Sequence, residues 1–238
     1  MSSTQNNSIL SQLTQQELAF LSPHMKLLSL VHGDVIFEPG QKIEHYYFPL
    51  SSSLELAIDT EDGKTGATAV IDSIFPVELI VDGHIDYRCT VRHSGLCYRI
   101  PARVIHEGLR QSQRLIWVLL KEAVKISRIT ALDSVCLRSH SLEQITAKLI
   151  LMSIDDSQGT VANITHQEIA NSLGARREGV TLTLGKFKDQ NLISNGRGQI
   201  ELIDRTGLEQ VACECYKSMR QIKLETIAKN NTNYINHE

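Results

Sequence analysis

Arg176, Arg177 and Glu178 stand side by side where one short helical pattern gives way to another. An arginine fork matches the O6 and N7 acceptors of guanine, and a carboxylate accepts from the N4 amino group of cytosine. Groups of these types, so placed, suit recognition of base edges rather than bond making. Arg177 and Glu178 are therefore the candidates for base readout. Thr165, Gln167, Arg176, Thr181 and Arg197 carry polar or cationic heads and are the candidates for phosphate contacts, which orient a protein on a duplex without reading it. The partner this set would take is double-stranded DNA.

Such side chains need a rigid frame, and the residues around them outline one. Thr165 with Glu168 three positions on makes a capping-box pattern at a helix start. Ile169, Ala170 and Leu173 form its apolar stripe, and Gly174 permits the left-handed backbone of a tight turn. A second helix opens at Arg176, with Val180, Leu182 and Leu184 expected to pack inward. Phe187 to Ile193 closes that helix. Ser194 to Gly198 then reads as a tight turn before Gln199–Ile203, which alternates polar and apolar as a half-buried strand does. Helix, turn, helix and hairpin in this order read as a winged helix-turn-helix, whose second helix presents its N-terminal residues to the major groove.

The stretch ITHQEIANSLGARREGVTLTLGKFKDQNLI and the wing GRGQIELIDR resemble the Crp/Fnr family of bacterial transcription regulators. GDVIFEPGQKIEHYYF is similar to the opening strands of that family's sensor barrel, so the resemblance spans roughly residues 20 to 225. The tail GLEQVACECY is similar to a branch not known for cyclic-nucleotide binding. The resemblance implies an α+β fold: an N-terminal double-stranded jelly roll of the cyclic-nucleotide-binding type over residues 1–110, a dimerisation helix over 111–138, and a winged helix-turn-helix with a C-terminal helix over 139–238. It implies a homodimer on a palindromic operator, with RNA polymerase as a candidate partner. By the family pattern a third reading position falls at Leu182, where many members carry arginine.

Leu10 to Leu30 reads as a helical opening capped at Thr14, followed by short strands such as Leu54–Ile58 and Tyr98–Ile100 between Gly- and Pro-bearing turns. In the long helix, Ile116, Leu119, Ala123, Ile126, Thr130, Asp133 and Leu137 recur at three-and-four spacing. That seam needs a partner, either the chain's own barrel or, as the resemblance implies, a second copy. Asp133 to Ser141 is the expected hinge, Ser141 caps a helix over Leu142–Ile154, and Asp204 or Thr206 caps a last helix from Gly207 to Ala228.

A cyclic-nucleotide receptor is the alternative. The family's cassette sets Gly-Glu-Leu about ten residues before an arginine and a hydroxyl residue. Here Glu78 and Arg88 keep that spacing and are the candidate ligand-binding pair, but Val77 replaces the glycine, Pro76 removes a donor and Cys89 replaces the hydroxyl. No metal or cofactor is expected. His24, His32, His45, His84, His93 and His106 show no ligand spacing. The five cysteines, being odd in number and absent from the first 88 residues, suggest neither a disulfide framework nor the N-terminal iron–sulfur cluster of the family's oxygen sensors. Cys213 and Cys215, placed on a predicted helix, would point about 200° apart and read as packing residues. No nucleophile elbow, P-loop or dinucleotide fingerprint suggests an enzyme. The net charge of −3 over 238 residues excludes a general nucleic-acid coat but not a local basic face. No run nears the roughly 20 apolar residues of a membrane span, and no signal peptide is evident. The expected location is the cytoplasm.

Overall fold

The computed structural model describes residues 7–59, 61, 65–74, 76, 85–157, 159–196 and 198–228. A short 3-10 turn at Leu10–Gln12 leads to helix α1 (Gln15–Leu21), which Thr14 and Glu17 close with a reciprocal capping box. The helical opening stops there rather than at Leu30. A 3-10 turn at Ser22–His24 that contains Pro23 follows α1 directly, and Lys26–Leu30 is instead strand β1. Strands β2 (Val35–Phe37), β3 (His45–Pro49), β4 (Ser53–Asp59), β5 (Thr65–Ile71), β6 (Arg88–His93) and β7 (Gly95–Pro101) follow. They form two sheets, β1-β7-β3 and β2-β6-β4-β5, with every pairing antiparallel.

Apolar residues of both sheets turn inward. Tyr46, Phe48, Leu54, Leu56, Val91, Cys97 and Ile100 meet in one buried cluster, the core of a β-barrel-type body. The winding expected of a jelly roll rests partly on residues 77–84, which lie outside the described residues, as does Glu78.

Helix α2 (Ala102–Gln111) and the 27-residue α3 (Gln113–Ser139) come next, separated by Ser112, whose extended backbone and side chain cap α3 at the amide of Leu115. The long helix therefore starts after a break, not at residue 111. Its inner face joins the barrel core through Leu115, Val118 and Leu119, with Ala123 and Ile126 packed against the same cluster. Asp133 pairs with the buried Lys148. Three central members of the expected seam (Leu119, Ala123 and Ile126) are thus occupied by this chain's own barrel. The stripe left open lies one residue over, at Trp117 (60% exposed), Leu120 (42%), Val124 (58%) and Val135 (50%).

A second buried cluster begins at Cys136 and comprises α4 (Leu142–Ser157), β8 (Val161–Ala162), α5 (His166–Leu173), α6 (Arg177–Asp189), β9 (Ile193–Gly196), β10 (Gln199–Leu202), α7 (Arg205–Val211) and the start of α8 (Cys215–Ala228). Ionic contacts tie it to the barrel. Lys125 on α3 reaches Glu122 at 2.6 Å and Asp72 at 3.5 Å, and Lys223 on α8 reaches Asp156 at 2.6 Å and Asp72 at 3.8 Å. No helix among the described residues is long and apolar enough to cross a membrane.

His93 sits at the same junction. Its Nδ1 is 2.7 Å from Ser53 Oγ on β4 and its Nε2 is 3.4 Å from Ser153 Oγ on α4. Burial, aided by Arg92, His32 and Lys223, pushes its pKa from 6.5 down to about 4. An unfolded histidine takes up a proton below about pH 6.5, whereas this folded one does so only near pH 4. Stability is therefore expected to fall as pH drops through that window, by up to roughly 3 kcal/mol from this group alone. Urea midpoints at about pH 7 and about pH 5 test this, because His93→Gln should show a shallower loss. A variant with the parent's pH slope would contradict it.

Candidate nucleic-acid interface

Helix α5 starts on Thr165, whose hydroxyl accepts from the Glu168 amide while the Glu168 carboxylate accepts from the Thr165 amide. It ends on Gly174, left-handed at φ 60°, whose amide returns to the end of α5. The chain runs extended through Arg176, the N-cap of α6, and α6 begins at Arg177. One face of α6 is buried through Val180, Thr183, Leu184 and Phe187, which follow the i, i+3, i+4, i+7 spacing. At Gly179 a β-carbon would stand only 3.1 Å from Leu142 Cδ2, so glycine lets α6 lie close on α4.

This geometry settles which side chains face outward. Arg176, Arg177, Glu178 and Thr181 are all exposed. Leu182 is 71% exposed and does not pack inward as its neighbours do, because its position lies about 100° round the helix from the buried Thr183. The inward place expected of Leu182 belongs to Thr183. Thr181 Oγ1 donates to the Arg177 carbonyl at 2.9 Å and stands 3.0 Å from His166 Nδ1, which couples the first turn of α6 to α5. His166 was not among the candidates, since a histidine at the first position of α5 carries no sequence signal of its own. Gln167 is exposed and donates to Asn171 Oδ1 at 2.8 Å. Lys186 is held by Glu143 of α4, which ties down one of the cations after the reading turn.

The hairpin is a wing in place. Strand β9 pairs with β10 from Gln199↔Gly196 to Leu202↔Ile193, and β10 pairs with β8 on its other side. Gly198 turns the hairpin at φ 72°, and a β-carbon there would lie 3.8 Å from the methyl of Thr165. The wing turn and the cap of α5 are therefore neighbours. Arg197 lies outside the described residues.

Of the alternative ligand pair, Arg88 is engaged within its own body. Its Nε is 2.8 Å from Glu38 and its Nη2 is 3.2 Å from Asp59.

One constellation escapes sequence reading. Helix α7 stops at Val211, Ala212 is extended, and α8 starts only at Cys215. Cys213 and Cys215 are thus not on one continuous helix, and the break lets both sulfurs turn the same way. They converge with Cys136, in the last turn of α3, and His140, which caps it, so that one ligand atom from each lies within 4.8 Å of all the others. The expectation that Cys213 and Cys215 point about 200° apart on one helix is corrected by this break. Only the C-x3-H spacing of Cys136 and His140, one helical turn, hinted at the convergence.

A family model for the Crp-like helix-turn-helix domain matches residues 143–211. The Transcriptional regulator LdrP of Thermus thermophilus is 26% identical, across 57% of this chain and 81% of its own. The Global nitrogen regulator of Synechococcus elongatus is 23% identical, across 86% and 96%. Two solved structures share the fold. A transcriptional regulator of the crp/fnr family from Eubacterium rectale superimposes with a TM-score of 0.67 at 19% identity, covering 85% of this chain and 96% of that one. FixK2 from Bradyrhizobium japonicum does so with 0.68 at 14%, covering 79% and 98%. Beside its barrel and long helix, the chain carries a Crp-like helix-turn-helix domain over residues 143–211, and it shares the fold of these two solved regulators.

Proposed function

We propose that this protein acts as a homodimer on a two-fold symmetric DNA site, with α6 of each copy in the major groove. Arg177 and Glu178 read bases, and Leu182 offers an apolar surface to a thymine methyl at the third position. Arg176, Thr165, Gln167, Thr181 and Arg197 hold the phosphates. The observation that carries this reading is the outward face of α6. Arg177 and Glu178 are exposed at its start beside the N-cap Arg176, while the opposite face anchors it in the core. The apolar stripe on α3 supports a second copy as partner, because such a row on a helix otherwise meets water. Binding, not catalysis, is the activity, and the cytoplasm is its place. RNA polymerase is a candidate partner once DNA is bound.

Selection from random duplexes tests the proposal. Recovered sites should be palindromic, with half-sites one helical turn apart, about 34 Å. A single asymmetric half-site, or no enrichment, would overturn it.

A cyclic nucleotide is not favoured as the switch. The arginine that would meet its phosphate is already flanked by two carboxylates, Glu38 and Asp59. Titration calorimetry with cyclic AMP and cyclic GMP at about 1 mM should show no saturable heat, and DNA affinity should be unchanged, since a ligand shifts an equilibrium only through differential affinity. A micromolar dissociation constant with a matching gain in DNA binding would restore the alternative.

A further inference from the structure

We propose that Cys136, His140, Cys213 and Cys215 form a structural zinc site that fastens the end of α3 to the junction of α7 and α8. The argument starts from spacing. Zinc holds sulfur at about 2.3 Å and nitrogen at about 2.0 Å, so a tetrahedron of such ligands has edges of roughly 3.5 to 3.8 Å. Here Cys136 Sγ and Cys213 Sγ are 3.4 Å apart, and Cys215 Sγ is 3.9 Å from His140 Nδ1. All four ligand atoms lie within 4.8 Å of one another. Shifts of up to about 1 Å in the wider pairs bring them onto one ion.

The surroundings fit the same ion. His140 offers Nδ1 to the centre of the cluster, and its Nε2 lies 3.3 Å from Glu214. A carboxylate on the second ring nitrogen is the usual outer partner of a metal-bound imidazole, and it fixes which nitrogen faces the metal. The three cysteines are buried, so the site is closed and leaves no open position for water or substrate. Closure with four protein ligands is the mark of a structural zinc. Three thiolates and one neutral imidazole around Zn2+ leave a net charge of −1. Lys148, buried beside Cys136, supplies an adjacent positive charge.

Other chemistry fits less well. A disulfide between Cys136 and Cys213 would leave Cys215 unpaired and give His140 no role. A polynuclear iron–sulfur core must itself fit between the cysteine sulfurs, which calls for ligands further apart than these. Magnesium and calcium take oxygen ligands, and none is supplied. Binding balances as three thiols and Zn2+ giving a zinc tris-thiolate and three protons, with the imidazole of His140 as the fourth ligand.

The position gives the site its purpose. Cys136 and His140 end α3, while Cys213 lies in the break before the last helix and Cys215 opens it. Zinc there would set the angle at which the reading domain leaves α3. The site itself stands independently of the dimer proposal, because all four ligands come from one chain.

The test uses untagged full-length protein isolated without chelator. Elemental analysis is expected to find about one zinc per chain, falling at least tenfold in Cys213→Ser and unchanged in Cys97→Ala, whose sulfur lies in the barrel core. Should Cys213→Ser fail to fold, the native chain still decides. After zinc removal under reducing conditions, added Co2+ should give the intense visible bands and sulfur-to-cobalt charge transfer of a tetrahedral thiolate site, bleached by one equivalent of Zn2+. Less than about a tenth of a metal per chain together with no such cobalt spectrum would overturn the proposal. So would peptide mapping that recovers Cys136 and Cys213 as a disulfide in freshly isolated protein, or an iron chromophore bound in place of zinc.

Discussion

Val124→Glu is expected to leave the protein monomeric in sedimentation and to weaken its hold on a palindromic DNA site at least a hundredfold. Val124 sits in the middle of the apolar stripe on α3, flanked by Trp117 and Leu120 on one side and Val135 on the other. If two copies pair along that stripe, their two-fold axis sets each introduced carboxylate near its twin in a desolvated seam. Burying unpaired like charges costs several kcal/mol, and every 1.4 kcal/mol is about tenfold in association. A monomer presents one reading helix to two half-sites and loses the gain from linked binding. The fold should survive, because Val124 is exposed in the single chain and the barrel core lies on the other face. Ile126→Glu would not separate these effects, since Ile126 packs against the barrel core. Trp117, the single tryptophan, provides a second readout. Its emission should be blue-shifted in the native dimer and move to the red in Val124→Glu. A variant that remained a tight dimer with unshifted emission would place the interface elsewhere.

Which parts of this molecule could be read from its sequence follows from how local their causes are. The capping box at Thr165, the left-handed turn at Gly174 and the exposed Arg177 all arise from residues within a few positions of one another. The face of α3 does not. The helix carries apolar residues on two adjacent stripes, and only the placement of the barrel decides that Leu119 and Ile126 go inward while Trp117 and Val124 stay out. Leu182 fails similarly, because its apolar side chain alone predicts an inward place that the helical period gives to Thr183. The partners of Arg88 include Glu38, 50 residues away, and Cys136 meets Cys213 across 77 residues. The break that frees Cys213 falls at Ala212, where no glycine or proline announces it. Long-range meetings of this kind depend on the assembled fold, so the four-ligand cluster was legible only as one C-x3-H spacing.

Arg177→Ala is expected to cost about 1–3 kcal/mol of specific binding and to relax preference at one base pair in each half-site, while Arg176→Ala weakens specific and random DNA alike. The distinction rests on where the two residues sit. Arg177 is the first residue of α6, at the helix end that the proposal sets in the groove. Arg176 precedes it as the extended N-cap, outside the helix proper. A bidentate contact to guanine is directional, so its loss falls on one position of the site. A phosphate contact releases counterions whatever the sequence, so its loss should lower the slope of log affinity against log salt by about one. Arg177 also supplies the carbonyl that accepts from Thr181, but that bond is made by backbone and survives truncation to alanine. The turn should therefore keep its shape, and circular dichroism and thermal midpoint should match the parent. Binding titrations across a set of single-base variants at several salt concentrations separate the two roles. Should Arg177→Ala lose affinity uniformly with a reduced salt slope, it is the phosphate contact, and base readout would pass to Glu178 and Leu182.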